Sequence, residues 1–306
     1  MDGHVDMRAT PEHVDRDAGF AYEKGSMAAW LLATGLMPDQ AWDVARRVDD
    51  HLATTGRRRV SLVQLHVLAR GVLGAEDGDM VADRFRRWHD FMALGRPLVV
   101  LIGGGTGVGK SSVATQLAYH LAITRVESTD VIRQVLRSVI PDAIAPELSR
   151  SSFELDQGPP TNDALLHAEF QRQAQQVLVG VRATIDRAVR EGTPVILEGI
   201  HLFPGLVDAR AVADALVVPV VLNVGDRSAH AHRFELRAED SERAAQRYED
   251  GLEAIRLLQD HVVATAQRAG VPVIENRRLH STVRGVLDVI FAAVDGALAQ
   301  PRPATR

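Results

Sequence analysis

Residues 98–112, LVVLIGGGTGVGKSS, constrain this chain more than any other stretch. The apolar run Leu98-Val99-Val100-Leu101-Ile102 stops abruptly at glycine. Gly104 and Gly109 then bracket Gly105, Thr106, Gly107 and Val108, and lead into Lys110, Ser111 and Ser112. The spacing G-x-x-x-x-G-K-[ST] is that of a phosphate-binding loop. Its glycines admit positive φ, so backbone N–H groups can close on phosphate oxygens. Lys110 supplies a point charge for the β- and γ-phosphates, and the Ser111 hydroxyl a ligand for Mg²⁺. A helix starting at about Ser111 aims its positive dipole end at the same anion. The plainer alternative is a Gly-rich turn between a strand and a helix. Against it, Lys24 and Lys110 are the only two lysines in the chain, where arginine is otherwise used almost everywhere. Lysine thus appears where a flexible ammonium serves better than a planar guanidinium.

Composition removes several function classes. At 306 residues there is room for one large domain or two ordinary ones, and 46% hydrophobic with 25% charged residues is the balance of a soluble globular chain. A net charge of −5 gives no global reason to expect nucleic acid or an anionic membrane as partner. Without cysteine there is no disulfide, thiolate metal site or cysteine nucleophile. The longest apolar stretch, near 215–224, is interrupted by Pro219 and is too short to span a membrane. The opening residues are polar and mixed in charge, unlike a signal peptide, so the default expectation is a cytoplasmic location.

Residues 1–18 read as a flexible tail, followed by four helical patterns over about 25–36, from Asp39, from Ser61, and over 79–94, with Asp39 and Ser61 as candidate caps. Gly95-Arg96-Pro97 closes this helical module. Beyond the loop helix, a second strand is expected at 123–127 and a helix at 131–139, with Ser128-Thr129-Asp130 as its cap. A loop with a short helix follows over 141–160, then a long helix over 162–190. Strands at 195–197, 215–224 and 271–274 alternate with helices at 226–238, 249–269 and 281–299. The alternation predicts an α/β fold with a parallel sheet covered on both faces.

Three further groups carry candidate chemistry. Asp130 follows the second strand, at the carboxyl edge of the sheet, and Arg133 and Arg137 continue along its helix face. A carboxylate beside two guanidiniums can hold a hydroxyl and an anionic substrate together; the alternative is an acid at a helix start beside a solvated arginine face. Glu198 ends an apolar strand, where a phosphate-loop enzyme places an acid near Mg²⁺, and His201 follows closely, although a lone histidine in such a place is more often structural than a ligand. Arg227, Arg233, Arg237, Arg243 and Arg247 form an arginine-dense region; arginines on a mobile lid can neutralise a transferring phosphoryl group, or can simply pair with Glu235, Glu239 and Glu242.

The ordered strings GGGTGVGKSSVATQLAYHL, ESTDVIRQVLRSVI, SSFE, VILEGIHLFPG, HRFELR, QRYEDGLEAIRLLQD and VPVIEN resemble the 2-phosphoglycerate kinases over about residues 97–298. The resemblance implies a P-loop kinase with a five-stranded parallel sheet of order 2-3-1-4-5 covered by helices, and a lid before the last strand. It implies an ATP- and Mg²⁺-dependent transfer to the 3-hydroxyl of 2-phospho-D-glycerate. Carried over, Lys110 and Ser111 hold phosphate and metal, and Asp130 positions or deprotonates the hydroxyl. Arg133 holds the acceptor's carboxylate or phosphate, Glu198 supports the metal or the attacking oxygen, and Arg233 and Arg237 act from the lid; by their positions alone, Arg137 and His201 are further acceptor-side candidates. Residues 20–94 resemble the ATP-cone that precedes the kinase domain in this family. Nucleotide-binding cones open with a basic V-x-K-R-x-G-like segment, whereas this chain has Val14-Asp15-Arg16-Asp17-Ala18-Gly19, so one tight ATP site per chain is expected. The expected organisation is a tail at 1–18, the cone-like domain at 19–95, the kinase domain at 96–298 and a tail at 299–306. Two other readings stay open: a kinase for another phosphorylated hydroxy-acid or polyol, and a nucleotide-sensing regulator that transfers nothing.

Overall fold

The computed structural model describes residues 20–21, 24–150, 152, 163–208, 212, 214–238 and 251–299, the backbone alone for 20–21 and 235–238. The chain separates into two compact units. One comprises Met1–Arg96, Leu117–Ile123 and Ile290–Arg306; the other comprises Pro97–Gln116 and Thr124–Val289.

In the first unit a two-residue antiparallel ladder, β1 (Phe20–Ala21) with β2 (Arg59–Val60), accompanies helices α1 (Lys24–Ala33), α2 (Pro38–Thr55), α3 (Leu62–Leu73) and α4 (Ala75–Met92). The ladder is too short to leave an alternating pattern in the sequence. Ala41, Val44, Ala45, Val48 and Leu52 of α2 recur at helical spacing and pack with Met27, Leu31, Leu65, Val81 and Phe85. Ser61 caps α3 as expected: it accepts from the Gln64 N–H at 3.2 Å, and its own N–H donates to Gln64 Oε1 at 2.9 Å. Asp39 does not cap α2. The helix starts one residue earlier at Pro38, whose missing N–H costs nothing there, and Asp39 lies in the first turn.

The second unit holds β3 (Leu98–Gly104), α5 (Lys110–Leu121), β4 (Val126–Ser128), α6 (Thr129–Val139), a 3₁₀ turn at Pro146–Ser149, α7 (Asp163–Glu191) and β5 (Val195–Glu198). Then follow β6 (Leu216–Asn223), α8 (Arg227–Ala238), α9 (Leu252–Arg268), β7 (Val273–Glu275) and α10 (Leu279–Ala299). The five strands are parallel in the order β4-β5-β3-β6-β7, which is 2-3-1-4-5 counted within the sheet from β3. All seven residues of β3 are buried, so the central strand reads as one apolar run rather than an alternation. Val99 and Leu101 pack with Val177, Val181 and Ile185 of α7, while Val221 packs with Ile255, Leu258 and Val262 of α9. Pro219 sits inside β6, paired with Leu101, yet β7 joins β6 only from Val221 onward. The missing N–H therefore falls where one side of the strand has no neighbouring strand.

The ends of α5 and α10 belong to the helical unit, a division that chain continuity alone did not suggest. The His120 ring meets the Leu32 carbonyl at 3.0 Å, Trp88 lies edge-on to Phe291, and Arg87 donates to Asp295 at 2.7 Å. Val14–Gly19, on which the cone's nucleotide affinity was judged, lies outside the described residues, as do both expected tails apart from Ala299, which closes α10.

Candidate active site

The loop between β3 and α5 is shaped from both sides. Gly107 has φ 79°, and a Cβ there would run into the Phe234 ring of α8, so the position requires glycine on two counts. Lys110 Nζ donates to the Gly105 carbonyl at 2.7 Å, curling over the loop it follows. Because β5 pairs with β3, with Ile102 opposite Glu198, the acid at the end of β5 comes level with the start of the loop. There the Ser111 hydroxyl donates to Glu198 Oε1 at 3.1 Å, and Glu198 is only 7% exposed. Two hard oxygen donors 87 positions apart in sequence thus share one point.

Three side chains hold the loop's carbonyls. His230 Nε2–H donates to Thr106 O at 2.7 Å, and Asn276 Nδ2 donates to Val108 O at 2.7 Å. Arg233 Nη1 donates to Val108 O at 3.0 Å, and its Nη2 donates to Asn276 O. Burial depresses the pKa of both His230 and Arg233. Arg233, expected to act from a lid, here lies beside the loop and holds the Val108 carbonyl, and with its carbonyls so engaged the loop's N–H groups are left for an anion. The side chain of Arg237 lies outside the described residues, as do Arg243, Arg247 and the expected lid. Arg227 pairs with Glu253 of α9, both side chains being exposed.

On the other side of Glu198, Ser128 of β4 pairs with it in the sheet, and α6 begins at the next residue. Ser128 is the N-cap, accepting from the Asp130 N–H at 3.2 Å. Asp130 is exposed, with Arg133 Nε 3.5 Å from its Oδ1. Arg133 is turned inward: its side chain is 12% exposed, and Nη1 donates to Leu148 O at 2.8 Å and Arg150 O at 3.3 Å. Among the described residues these hydrogen bonds are both made through Nη1. Arg137, one turn further along α6, is exposed like Asp130.

His201 is not placed to meet a substrate. It is 2% exposed, and both ring nitrogens are taken: Nδ1 by Thr129 Oγ1 at 2.9 Å and Nε2 by Gln173 Oε1 at 3.1 Å. Burial drives its pKa down to about 4, and the cations Arg133 and Lys110 push the same way against Asp130. It is therefore a neutral link in the wall of the site rather than a ligand.

Sequence reasoning missed Thr129, Gln173, His230 and Asn276 as site residues. Gln173 left a signal. It sits on the stripe Leu166, Phe170, Gln173, Val177, Val181 of α7, a polar side chain on the face that packs inward, and such a group must find partners. Asn276, beyond β7, left none that local pattern could reveal.

No family model matches the chain. A 2-phosphoglycerate kinase of Methanocaldococcus jannaschii is 35% identical over 271 residues, covering 88% of this chain and 87% of that protein. One of Pyrococcus horikoshii is 34% identical over 274 residues, covering 88% and 89%. One of Methanopyrus kandleri is 32% identical over 274 residues, covering 88% and 83%. Among solved structures, a gluconokinase from Sinorhizobium meliloti overlaps 66% of this chain and 95% of its own at 18% identity, with a TM-score of 0.39.

Proposed function

Since the chain belongs to the 2-phosphoglycerate kinase family, we propose that it transfers the γ-phosphoryl group of ATP to the 3-hydroxyl of 2-phospho-D-glycerate, giving 2,3-bisphosphoglycerate and ADP. The observation that carries the reading is the Ser111–Glu198 hydrogen bond, which joins the phosphate loop to the strand end beside Ser128 and Asp130. The loop N–H groups and the Lys110 ammonium bind the β- and γ-phosphates. Ser111 Oγ and Glu198 Oε1 are oxygen donors of the kind that hold Mg²⁺ through one or two protein groups, the remainder being phosphate oxygens and water. An ion held there would supply neutralisation of charge on the transferring phosphate. Asp130 accepts the proton of the 3-hydroxyl as its oxygen bonds to the γ-phosphorus and the bond to the β,γ-bridging oxygen breaks. Arg133 Nη2 contributes a charge-assisted contact to the acceptor's anionic groups. The division of labour follows the sheet: nucleotide at β3, acceptor beyond β5.

The test is ADP release measured with ATP and Mg²⁺, with and without 2-phospho-D-glycerate. Release that depends on and saturates with 2-phospho-D-glycerate supports the reading. Release that is indifferent to it, or that responds only to other hydroxy-acids, contradicts it.

A further inference from the structure

Resting on the reading of Asp130 and Arg133 as acceptor-side groups, we propose that Thr129, His201 and Gln173 are positioning residues for acceptor binding. Linked by hydrogen bonds, they fix the turn at 146–150 and the start of α6 relative to Glu198. None of the three needs to touch the substrate.

Every bond in this chain has a determined direction. Gln173 Nε2 donates to Glu147 O at 2.5 Å and to Arg150 O at 3.0 Å, so the amide nitrogen faces two carbonyls. Its oxygen then faces His201, whose Nε2 must carry the proton. A histidine held neutral leaves Nδ1 as an acceptor, and the Thr129 hydroxyl donates to it. All three side chains are buried, at 0% exposure for Thr129, 2% for His201 and 3% for Gln173, so a lost link is not replaced by bulk water.

Both ends of the chain lie at the proposed acceptor site. At one end, Thr129 is the first residue of α6 and precedes Asp130. It is pressed against Gly199, whose φ is 151° and where a Cβ would collide with Thr129 Oγ1. Gly199 follows Glu198, so one contact sets the metal-side acid and the acceptor-side acid against each other. At the other end, the Arg150 carbonyl accepts from both Gln173 Nε2 and Arg133 Nη1. The Leu148 carbonyl takes the second Arg133 bond, so α6 and α7 hold the turn from two directions. An error of even a fraction of an ångström here displaces the acceptor's hydroxyl from the γ-phosphate, without altering the loop that binds ATP.

The experiment compares two pairs of variants in steady-state kinetics, each substrate being varied in turn. Thr129→Val deletes the hydroxyl at nearly constant volume, and Thr129→Ser restores it. Gln173→Leu deletes the amide, and Gln173→Glu keeps the acceptor for His201 but loses both donors to the turn. The expected result is a KM for 2-phospho-D-glycerate raised about tenfold in Thr129→Val, Gln173→Leu and Gln173→Glu, with the KM for ATP within about twofold of wild type and Thr129→Ser close to wild type. An unchanged acceptor KM in Thr129→Val, or ATP and acceptor KM rising together, overturns the proposal, since general softening of the fold would not discriminate between substrates. Asp130→Asn and Arg133→Lys serve as controls for the underlying reading. If these too leave acceptor kinetics untouched, the acceptor site is misplaced; if they impair it while the Thr129 and Gln173 variants do not, only the positioning proposal fails.

Discussion

Lys110 is the residue at which binding and turnover part most sharply. Its ammonium donates to the Gly105 carbonyl of the loop that it follows and is the charge that meets the phosphates, so Lys110→Ala should act on turnover and leave the fold intact. Phosphoryl transfer should fall by about 10²–10³-fold or more, read from kcat beside an unchanged far-ultraviolet spectrum and unfolding midpoint. His201 makes the opposite kind of prediction, one of stability. Its folded pKa, near 4, lies below the ordinary histidine value of 6.5. Between those values the unfolded chain binds a proton that the folded chain refuses, so stability is full above about pH 6.5 and is lost as pH falls toward 4. Denaturant unfolding across that range should show the loss, and His201→Gln should flatten the contribution. A wild-type unfolding free energy that does not fall over this interval contradicts the assignment. Lys110, Ser111 and Glu198 were legible in sequence because loop chemistry fixes their spacing and a strand end fixes the acid. His201 stayed open in sequence between a structural histidine and an acceptor ligand, because proximity to Glu198 says nothing about which way an imidazole is turned, and its two partners lie 72 and 28 residues away.

At the scale of elements, the phosphate loop is held by α8 and by the residue after β7, not by its own sequence alone. Asn276 is 5% exposed, receives the Thr282 hydroxyl at its Oδ1 and gives its amide to Val108 O. Asn276→Ala removes the donor and leaves a buried carbonyl with one partner fewer, so the KM for ATP should rise about tenfold while the acceptor's KM stays put. Titration of each substrate separately checks this, and a selective rise in acceptor KM would contradict it. The junction of β5 and α6 gives a second prediction. Gly199→Ala places a methyl against Thr129 at a φ of 151°, and should destabilise the fold by on the order of 1–3 kcal/mol in denaturant unfolding. Helices and strands of this unit were readable from apolar periodicity and from Gly and Pro punctuation. The bracing of the loop was not, because Arg233 and Asn276 belong to separate elements that only the sheet order β3-β6-β7 brings together.

Across the whole molecule, the α/β class and the parallel sheet followed from strands alternating with helices, while the unit division did not. A linear reading ends one domain where the next begins, yet Leu117–Ile123 and Ile290–Arg306 group with the helical unit. All of the proposed phosphate-binding, metal-binding and acceptor-binding residues belong to the other unit, and the weakly basic segment at 14–19 offers no second phosphate cluster in sequence. Calorimetric titration of the full chain with a non-hydrolysable ATP analogue should therefore give one tight site per chain, and two tight sites would refute this. The central claim is that the site passes a phosphoryl group to a phosphorylated acid bound beyond β5. Phosphorus magnetic resonance of a reaction containing ATP, Mg²⁺ and 2-phospho-D-glycerate measures that transfer directly. The account predicts resonances of 2,3-bisphosphoglycerate and ADP growing in equal amounts, with no growth in the Lys110→Ala variant. ADP accumulating together with inorganic phosphate, and 2-phospho-D-glycerate left unchanged, would contradict it.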